Sequence, residues 1–185
     1  ELVDKDAVRR FRKRSLNPER PIMRSGAGST ETYFQQREAS NPYYDAIPDI
    51  VNDYMEKMGE KTGRHYQPFM YYGAEDAEEV IVAMGSVSGT VKDTVAYLNA
   101  QGRKVGFMQV ILYRPFSAKY FLSVLPKTVK KIAVLDRTKE PGALGEPLYL
   151  DVCSVINEAN VHPQVIGGRY GLSIKDTTPA QIVAV

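Results

Sequence analysis

The sequence has 185 residues, 43% of them hydrophobic and 25% charged, which is the size and composition of one globular domain with an appendage. Lys and Arg total 24 against 22 for Asp and Glu, so the net charge of +2 argues against a nucleic-acid or membrane partner selected by bulk charge. The apolar runs fall far short of the ~20 residues that a membrane-spanning helix needs. We therefore expect a cytoplasmic protein.

The one cysteine, Cys153, excludes an internal disulfide, and the sequence has neither a CxxC motif nor a His/Cys cluster for zinc or an iron-sulfur cluster. His65 and His162 lie far apart in polar segments, so we interpret both as surface residues. Cys153 falls on an apolar helix pattern and is expected to be a buried structural thiol. The start at Glu1, without methionine and close to charged residues, indicates no signal peptide and suggests a piece of a longer chain.

The first third of the sequence predicts helices joined by irregular segments. Asp4 is a candidate cap for a short helix, and the segment NPERP at residues 17–21 predicts a turn. Residues 25–41 contain aromatic and glutamine side chains among glycine and serine, so we expect an irregular connector that packs on something. Apolar residues between positions 47 and 58 then follow one helix face, with Pro48 expected in the first turn.

From residue 68 onward, strand patterns alternate with helix patterns. Helices are predicted after residue 88, from the cap Ser117, from Pro147 and from Thr178. The predicted strands cover residues 69–72, 80–84, 104–112, 131–135 and 164–166. This alternation predicts a three-layer α/β domain, in which a mostly parallel sheet is covered by helices on both faces.

Two loops that follow predicted strands carry candidate functional residues. Gly85 and Ser86 open a helix, where backbone N–H groups are able to hold a phosphate, but the segment lacks both the GxGxxG and the P-loop patterns. A tight structural turn is therefore the favoured interpretation.

The second loop holds four charged residues at the carboxyl end of a strand, the edge at which open α/β sheets bind ligands. These residues are Asp136, Arg137, Lys139 and Glu140. They suit ligand binding or acid/base chemistry, and equally an ion-pair network that docks a neighbouring domain. Docking is favoured because no nucleophile accompanies them, and we predict no catalytic and no metal-binding residue.

Residues 9–14 place five positive charges around one aromatic ring, a pattern that also occurs in nucleic-acid-binding proteins. The rest of the chain balances this charge, and no nucleic-acid-binding fold is recognisable. A solvated or inter-domain face is therefore the favoured interpretation.

Several segments resemble pyruvate:ferredoxin and pyruvate:flavodoxin oxidoreductases over nearly the whole chain. The most specific are AVLDRTKEPG at residues 133–142 and GEPLY at 145–149. The others are NPERP (17–21), YFQQREA (33–39), NPYY (41–44), MGSV (84–87) and LYRPF (112–116), which contains the further candidate Arg114. Ser88 and Gly89 depart from the cysteine and acidic residue that the family often has there, and residues 24–32 also differ.

The resemblance implies a large enzyme in which thiamine diphosphate, with magnesium, attacks pyruvate, coenzyme A takes the acyl group, and iron-sulfur clusters pass electrons to ferredoxin or flavodoxin. It places this chain outside the cofactor sites, so no cofactor is expected in it. Residues 1–67 would be the tail of a pyrimidine-binding domain and a connector, and residues 68–185 a domain similar to the C-terminal domain of transketolases. The partners implied are the other domains of the parent chain, which is expected to be a homo-oligomer.

Three functions remain open from the sequence. The first is a non-catalytic structural domain of such an oxidoreductase. The second is a binding module for a phosphorylated small molecule at the Gly85 and Asp136 loops, and the third is nucleic-acid binding through residues 9–14. Residues 1–45 are expected to be poorly packed on their own domain or engaged with another copy, because their aromatic side chains lack a regular periodicity.

Overall fold

A computed structural model of the protein describes residues 2–22 and 29–185. The chain divides into two compact units, Glu1–His65 and Tyr66–Val185. Within the described residues, no helix combines the length and the apolarity that a bilayer crossing requires.

The described residues of the first unit form three helices: α1 (Lys5–Arg12), α2 (Tyr33–Glu38) and α3 (Asn41–Thr62). Asp4 caps α1 as predicted, because its carboxylate accepts the N–H groups of Asp6 and Ala7 at 2.9 and 3.0 Å. The expectation of an irregular connector at residues 25–41 is wrong where α2 forms, and residues 23–28 lie outside the described residues.

Helix α3 begins earlier than the apolar pattern indicates. Pro42 occupies its first turn, and Pro48, which was expected there, lies inside the helix. An internal proline removes one backbone hydrogen bond, and a helix of 22 residues tolerates this loss because its other turns keep their hydrogen bonds. The helix ends at Gly63, whose φ of 71° is a left-handed conformation that glycine adopts without strain.

The second unit is built on one five-stranded sheet of order β1-β3-β2-β4-β5. Its strands are β1 (Phe69–Gly73), β2 (Glu79–Met84), β3 (Val105–Val110), β4 (Lys131–Asp136) and β5 (Gln164–Arg169). All neighbours are parallel except the edge strand β1, which runs antiparallel to β3. The prediction that the strands near residues 80–84, 104–112 and 131–135 are neighbours in a mostly parallel sheet is confirmed.

Helices cover both faces of this sheet, which confirms the three-layer α/β fold. Helices α4 (Ser88–Ala100) and α7 (Pro179–Val183) pack on one face, where Phe107 is completely buried. Helices α5 (Ala118–Val124) and α6 (Pro147–Glu158) pack on the other, around residues such as Phe121 and Val134. Because successive side chains of a strand point to opposite faces, each central strand supplies both cores and reads as a continuous apolar run.

Candidate functional site at the carboxyl edge of the sheet

The structure brings the two predicted loops together at the carboxyl edge of the sheet, through Arg137. Its Nη1 donates to the hydroxyl of Ser86 at 3.2 Å, which links the end of β4 to the turn after β2. Its Nε and Nη2 donate to the carbonyl oxygens of Gly171 and Ser173, both at 2.8 Å. Arg137 therefore joins the segments that follow three strands, while Gly85 supplies the left-handed turn, at φ 77°, that precedes Ser86.

Asp136 points to the opposite face of the sheet and caps α6. Its two carboxylate oxygens accept the N–H groups of Leu148 and Tyr149 at 3.0 and 3.1 Å. Helix α6 lacks a local side-chain cap and starts with Pro147, so this contact from β4 replaces one. Burial raises the pKa of the Asp136 carboxyl, and the two N–H donors act against that shift. Asp136 is thus a buried structural residue.

Glu146 connects the same loop to β5. Its carboxylate, which is buried, accepts the backbone N–H of Glu140 at 2.8 Å and forms an ion pair with Nε of the exposed Arg169. The hydrogen bond from Arg169 is the main reason why the pKa of Glu146 is lowered. These contacts hold both ends of the loop in place.

The side chains at the tip of this loop face outward. Lys139 and Glu140 are exposed, and across residues 2–22 and 29–185 their side chains form neither a hydrogen bond nor an ion pair. Leu144 beside them is fully exposed, at 102% of its reference area. The candidate residues of the motif therefore divide into Asp136 and Arg137, which are used inside the unit, and Lys139 and Glu140, which are directed to the surface.

Arg114 belongs to a separate polar group beyond β3. Its guanidinium lies 3.9 Å from the ring centre of Tyr113 and 2.7 Å from the carboxylate of Asp151, which is on α6. Burial, followed by the charge of Asp151, raises the pKa of Tyr113 to about 12. Arg114 thus holds the segment after β3 on α6, through partners that Arg137 does not share.

Some residues of this edge were missed from the sequence. The segment after β5 supplies two acceptors to Arg137, and the hydroxyl of Tyr170 donates to the carbonyl of Met84 at 2.9 Å. The predicted strand stopped at residue 166, whereas β5 continues through two glycines to Arg169. The pattern GGRYG at residues 167–171 was the available signal, because glycines in a strand often mark a close approach of another group.

Two further features considered in the sequence are a metal site and the basic run at residues 9–14. Where the structure describes the chain, it contains no group of three or more His, Cys, Asp or Glu residues placed to hold a metal ion. In the basic run of α1, Arg9 pairs with Asp6 and Arg10 with Asp4, while Arg14 lies over the ring of Phe11. Part of this positive charge is therefore neutralised within the helix itself.

Comparison with known proteins agrees with the resemblance found in the sequence. Residues 77–182 match the family described as pyruvate:ferredoxin oxidoreductase core domain II. The chain is 53% identical over 184 residues to the pyruvate-flavodoxin oxidoreductase of Enterobacter agglomerans and 56% identical over 184 residues to the pyruvate:ferredoxin oxidoreductase of Moorella thermoacetica. All of this chain is covered in both cases, but it spans only 16% of the length of each relative.

A solved structure shares the fold at lower identity. The 2-oxoglutarate:ferredoxin oxidoreductase from Magnetococcus marinus matches 85% of this chain and 23% of its own, with a TM-score of 0.55 and 19% identity. The family match covers more than half of the chain and includes every strand of the sheet except β1. The chain therefore belongs to the pyruvate:ferredoxin oxidoreductase core domain II family.

Proposed function

We propose that this chain serves as a non-catalytic scaffold domain of a larger enzyme that oxidises pyruvate and reduces ferredoxin or flavodoxin. The observation that carries the proposal is the identity of 53–56% along the entire chain to enzymes named for that reaction, of which it spans 16%. In this proposal residues 1–67 belong to a preceding pyrimidine-binding domain and its connector. The division of the chain into units at His65 and Tyr66 supports a boundary there.

The contacts that the charged residues make within the domain support a structural role for them. Asp136 caps α6, Arg137 is hydrogen bonded to two carbonyl groups and a hydroxyl, and Glu146 is paired with Arg169. A general acid or base has to reach a substrate proton, whereas a buried carboxylate that accepts two backbone N–H groups is occupied. Asp136 and Arg137 of the most specific motif are therefore explained by contacts within their own domain.

The donor groups of this chain bear on two cofactors of the proposed parent enzyme, the iron-sulfur cluster and the magnesium ion. An iron-sulfur cluster needs several cysteine thiolates, and this sequence has Cys153 alone. Magnesium is usually held by one or two carboxylates together with phosphate oxygens, and residues 2–22 and 29–185 contain no group of three or more His, Cys, Asp or Glu residues placed to hold a metal ion. We propose that thiamine diphosphate, magnesium, iron-sulfur clusters and coenzyme A are bound by other domains of a homo-oligomeric parent.

The loop tips at the carboxyl edge are proposed to dock another domain of the same polypeptide. Leu144 is fully exposed and Ile174, in the loop after β5, is 93% exposed, while Lys139 and Glu140 are exposed charged residues in the same loop as Leu144. Two exposed aliphatic side chains with neighbouring charges resemble the centre and rim of a protein interface. The length of the relatives supports a covalently connected partner, because about five sixths of each lies outside this match.

A chimera tests this function. The 184 aligned residues of the Moorella thermoacetica enzyme are replaced by this chain, and pyruvate-dependent ferredoxin reduction is measured together with thiamine diphosphate and iron content. We expect an assembled chimera that keeps activity within about tenfold, since 56% identity preserves most contacts. An assembled chimera with full cofactor content but without activity would contradict the scaffold role.

Two variants of the chimera separate docking from catalysis. Leu144→Asp should reduce assembly, because it places a charge in the proposed interface, whereas Lys139→Ala combined with Glu140→Ala should leave kcat within about threefold. A loss of kcat of two orders of magnitude or more in the Lys139/Glu140 variant, with assembly intact, would assign these residues to catalysis instead.

A further inference from the structure

A cavity of about 200 Å³ opens at the point where the strand order of the sheet reverses. From β2 the chain crosses through α4 to β3 on one side, and from β4 it crosses through α6 to β5 on the other. Open α/β sheets bind ligands in the crevice that this reversal leaves between the carboxyl ends of two adjacent strands. Here those strands are β2 and β4, and Ser86 and Arg137 line the cavity between them.

The walls of this cavity are rich in hydrogen-bond donors. Ser86 and Thr90 supply hydroxyl groups from the turn into α4, Thr177 supplies a third from the loop after β5, and Lys175 contributes an ammonium group. Arg137 contributes a guanidinium group, and Asp176 is the one acidic side chain among the lining residues. The fixed charges of the lining therefore sum to one net positive charge.

Arg137 is held in position by neutral partners. Its three hydrogen bonds go to two carbonyl oxygens and one hydroxyl, so they orient the guanidinium without cancelling its charge. Three of the five N–H donors are used, which leaves two. Within residues 2–22 and 29–185, neither Arg137 nor Lys175 forms an ion pair with a carboxylate, whereas Asp136, the adjacent acid, is turned away to cap α6.

A second, larger groove of the same sheet differs because its cations are paired with a carboxylate. It has a volume of about 470 Å³, lies at the amino edge, and contains Glu79, Arg103 and Lys131 in its lining. Both of these cations pair with Glu79, at 3.1 Å each. Both cations there share a carboxylate partner, whereas Arg137 is oriented without one, and this difference distinguishes the cavity at the strand reversal.

We propose that the cavity lined by Ser86, Thr90, Arg137, Lys175 and Thr177 is a binding site for a small oxyanion, namely a phosphate or carboxylate group. The volume sets the size of the ligand, since sites for drug-sized molecules and cofactors occupy ~300–1,000 Å³ and this one is smaller. It accommodates a single charged group, free or at the end of a larger molecule. This site goes beyond the scaffold function proposed above, and Ile174 of the proposed docking surface also lines its cavity.

Titration of the 185-residue chain with inorganic phosphate, followed by phosphorus NMR and calorimetry at constant ionic strength in sodium chloride, tests the site. We expect saturable binding that sulfate displaces. Lys175→Gln should weaken binding at least fivefold by removing one charge while leaving the hydrogen bonds of Arg137 intact, and Arg137→Gln should abolish it. Lys127→Gln, at an exposed lysine of the opposite edge, should leave the affinity unchanged.

Circular dichroism of each variant separates loss of binding from loss of folding, and the Lys175→Gln result decides the question if Arg137→Gln does not fold. The proposal is overturned if the wild-type chain does not reach half-saturation by about 50 mM phosphate. It is equally overturned if Lys127→Gln and Lys175→Gln weaken binding to the same extent, because that result indicates general charge attraction.

Discussion

The ring of Tyr149 on α6 lies between two glycines, and this arrangement makes the replacement Gly145→Ala informative. A Cβ atom on Gly145 would lie 2.3 Å from Cδ1 of the ring, whereas ordinary contacts begin near 3.4 Å. The ring would have to move by about 1.1 Å, the difference between those two distances. On the other edge of the ring, the position that a Cβ of Gly167 would occupy is 3.0 Å from Cδ2. The backbone of β5 is therefore close to the ring on that side and leaves it little space to move.

Overpacking of this kind costs about 1–3 kcal/mol of the free energy of unfolding. At about 3 °C per kcal/mol for a chain of this length, the melting temperature of Gly145→Ala should fall by roughly 3–9 °C. Calorimetry and urea denaturation monitored by circular dichroism measure both quantities. In the Tyr149→Leu background the same replacement should cost less by about 0.5 kcal/mol or more, because the obstructing ring is absent.

Gly89→Ala is the matched control. Gly89 lies in the first turn of α4, where a methyl group would have open space within 4 Å, and its φ is not positive. Alanine there should stabilise the chain by about 0.4–1 kcal/mol, because it restricts the unfolded chain without a clash. The packing argument is refuted if Gly145→Ala unfolds within about 0.3 kcal/mol of the wild type, or if Tyr149→Leu leaves its cost unchanged.

Three further predictions concern stability. Asp136→Ala should lower the free energy of unfolding by about 1–3 kcal/mol in urea titrations, because the N–H groups of Leu148 and Tyr149 lose their acceptor. A change below about 0.5 kcal/mol would argue against the cap. Burial raises the pKa of Tyr71 and Tyr113 from 10.0 to about 12, which favours the neutral phenols in the folded state, so stability should be complete below pH 10.0 and decline as the pH rises toward 12. Urea midpoints across that range should show the decline, and it should be smaller in Tyr113→Phe. Deletion of residues 1–65 should leave a cooperatively melting α/β unit; loss of the melting transition would show that the unit depends on the deleted helices.

The central strands were predictable because burial on both faces leaves a continuous apolar run. Residues 80–84 and 131–135 were predicted within a residue of β2 and β4, and the alternation with helices then required parallel neighbours. The start of α3 was harder to predict from the sequence. Residues 41–46 lack apolar periodicity, and a proline at position 48 was assigned to the first turn that Pro42 occupies.

The meeting of the Gly85 and Asp136 loops also followed from the sequence, since the carboxyl ends of parallel strands share one edge. Their individual roles did not follow. Whether Asp136 or Arg137 faces α6 depends on the register of β4, which strand alternation fixes only when its end is known. The acceptors for Arg137 lie beyond two glycines of β5, where the sequence signal for a strand is weak.

The adjacent positions of Asp136 and Arg137 determine where this domain can tolerate insertions and deletions in its sequence. Because they point to opposite faces, Asp136 holds α6 and Arg137 holds the segments after β2 and β5. An insertion or deletion of one residue within β4 would exchange the two faces and release both layers at once. In the exposed stretch 141–144, between the two anchored ends of the loop, added residues cost little more than the entropy of a longer loop. Length variation in this domain is therefore expected at the surface that we assign to docking, where a new partner can be accommodated without disturbing the sheet.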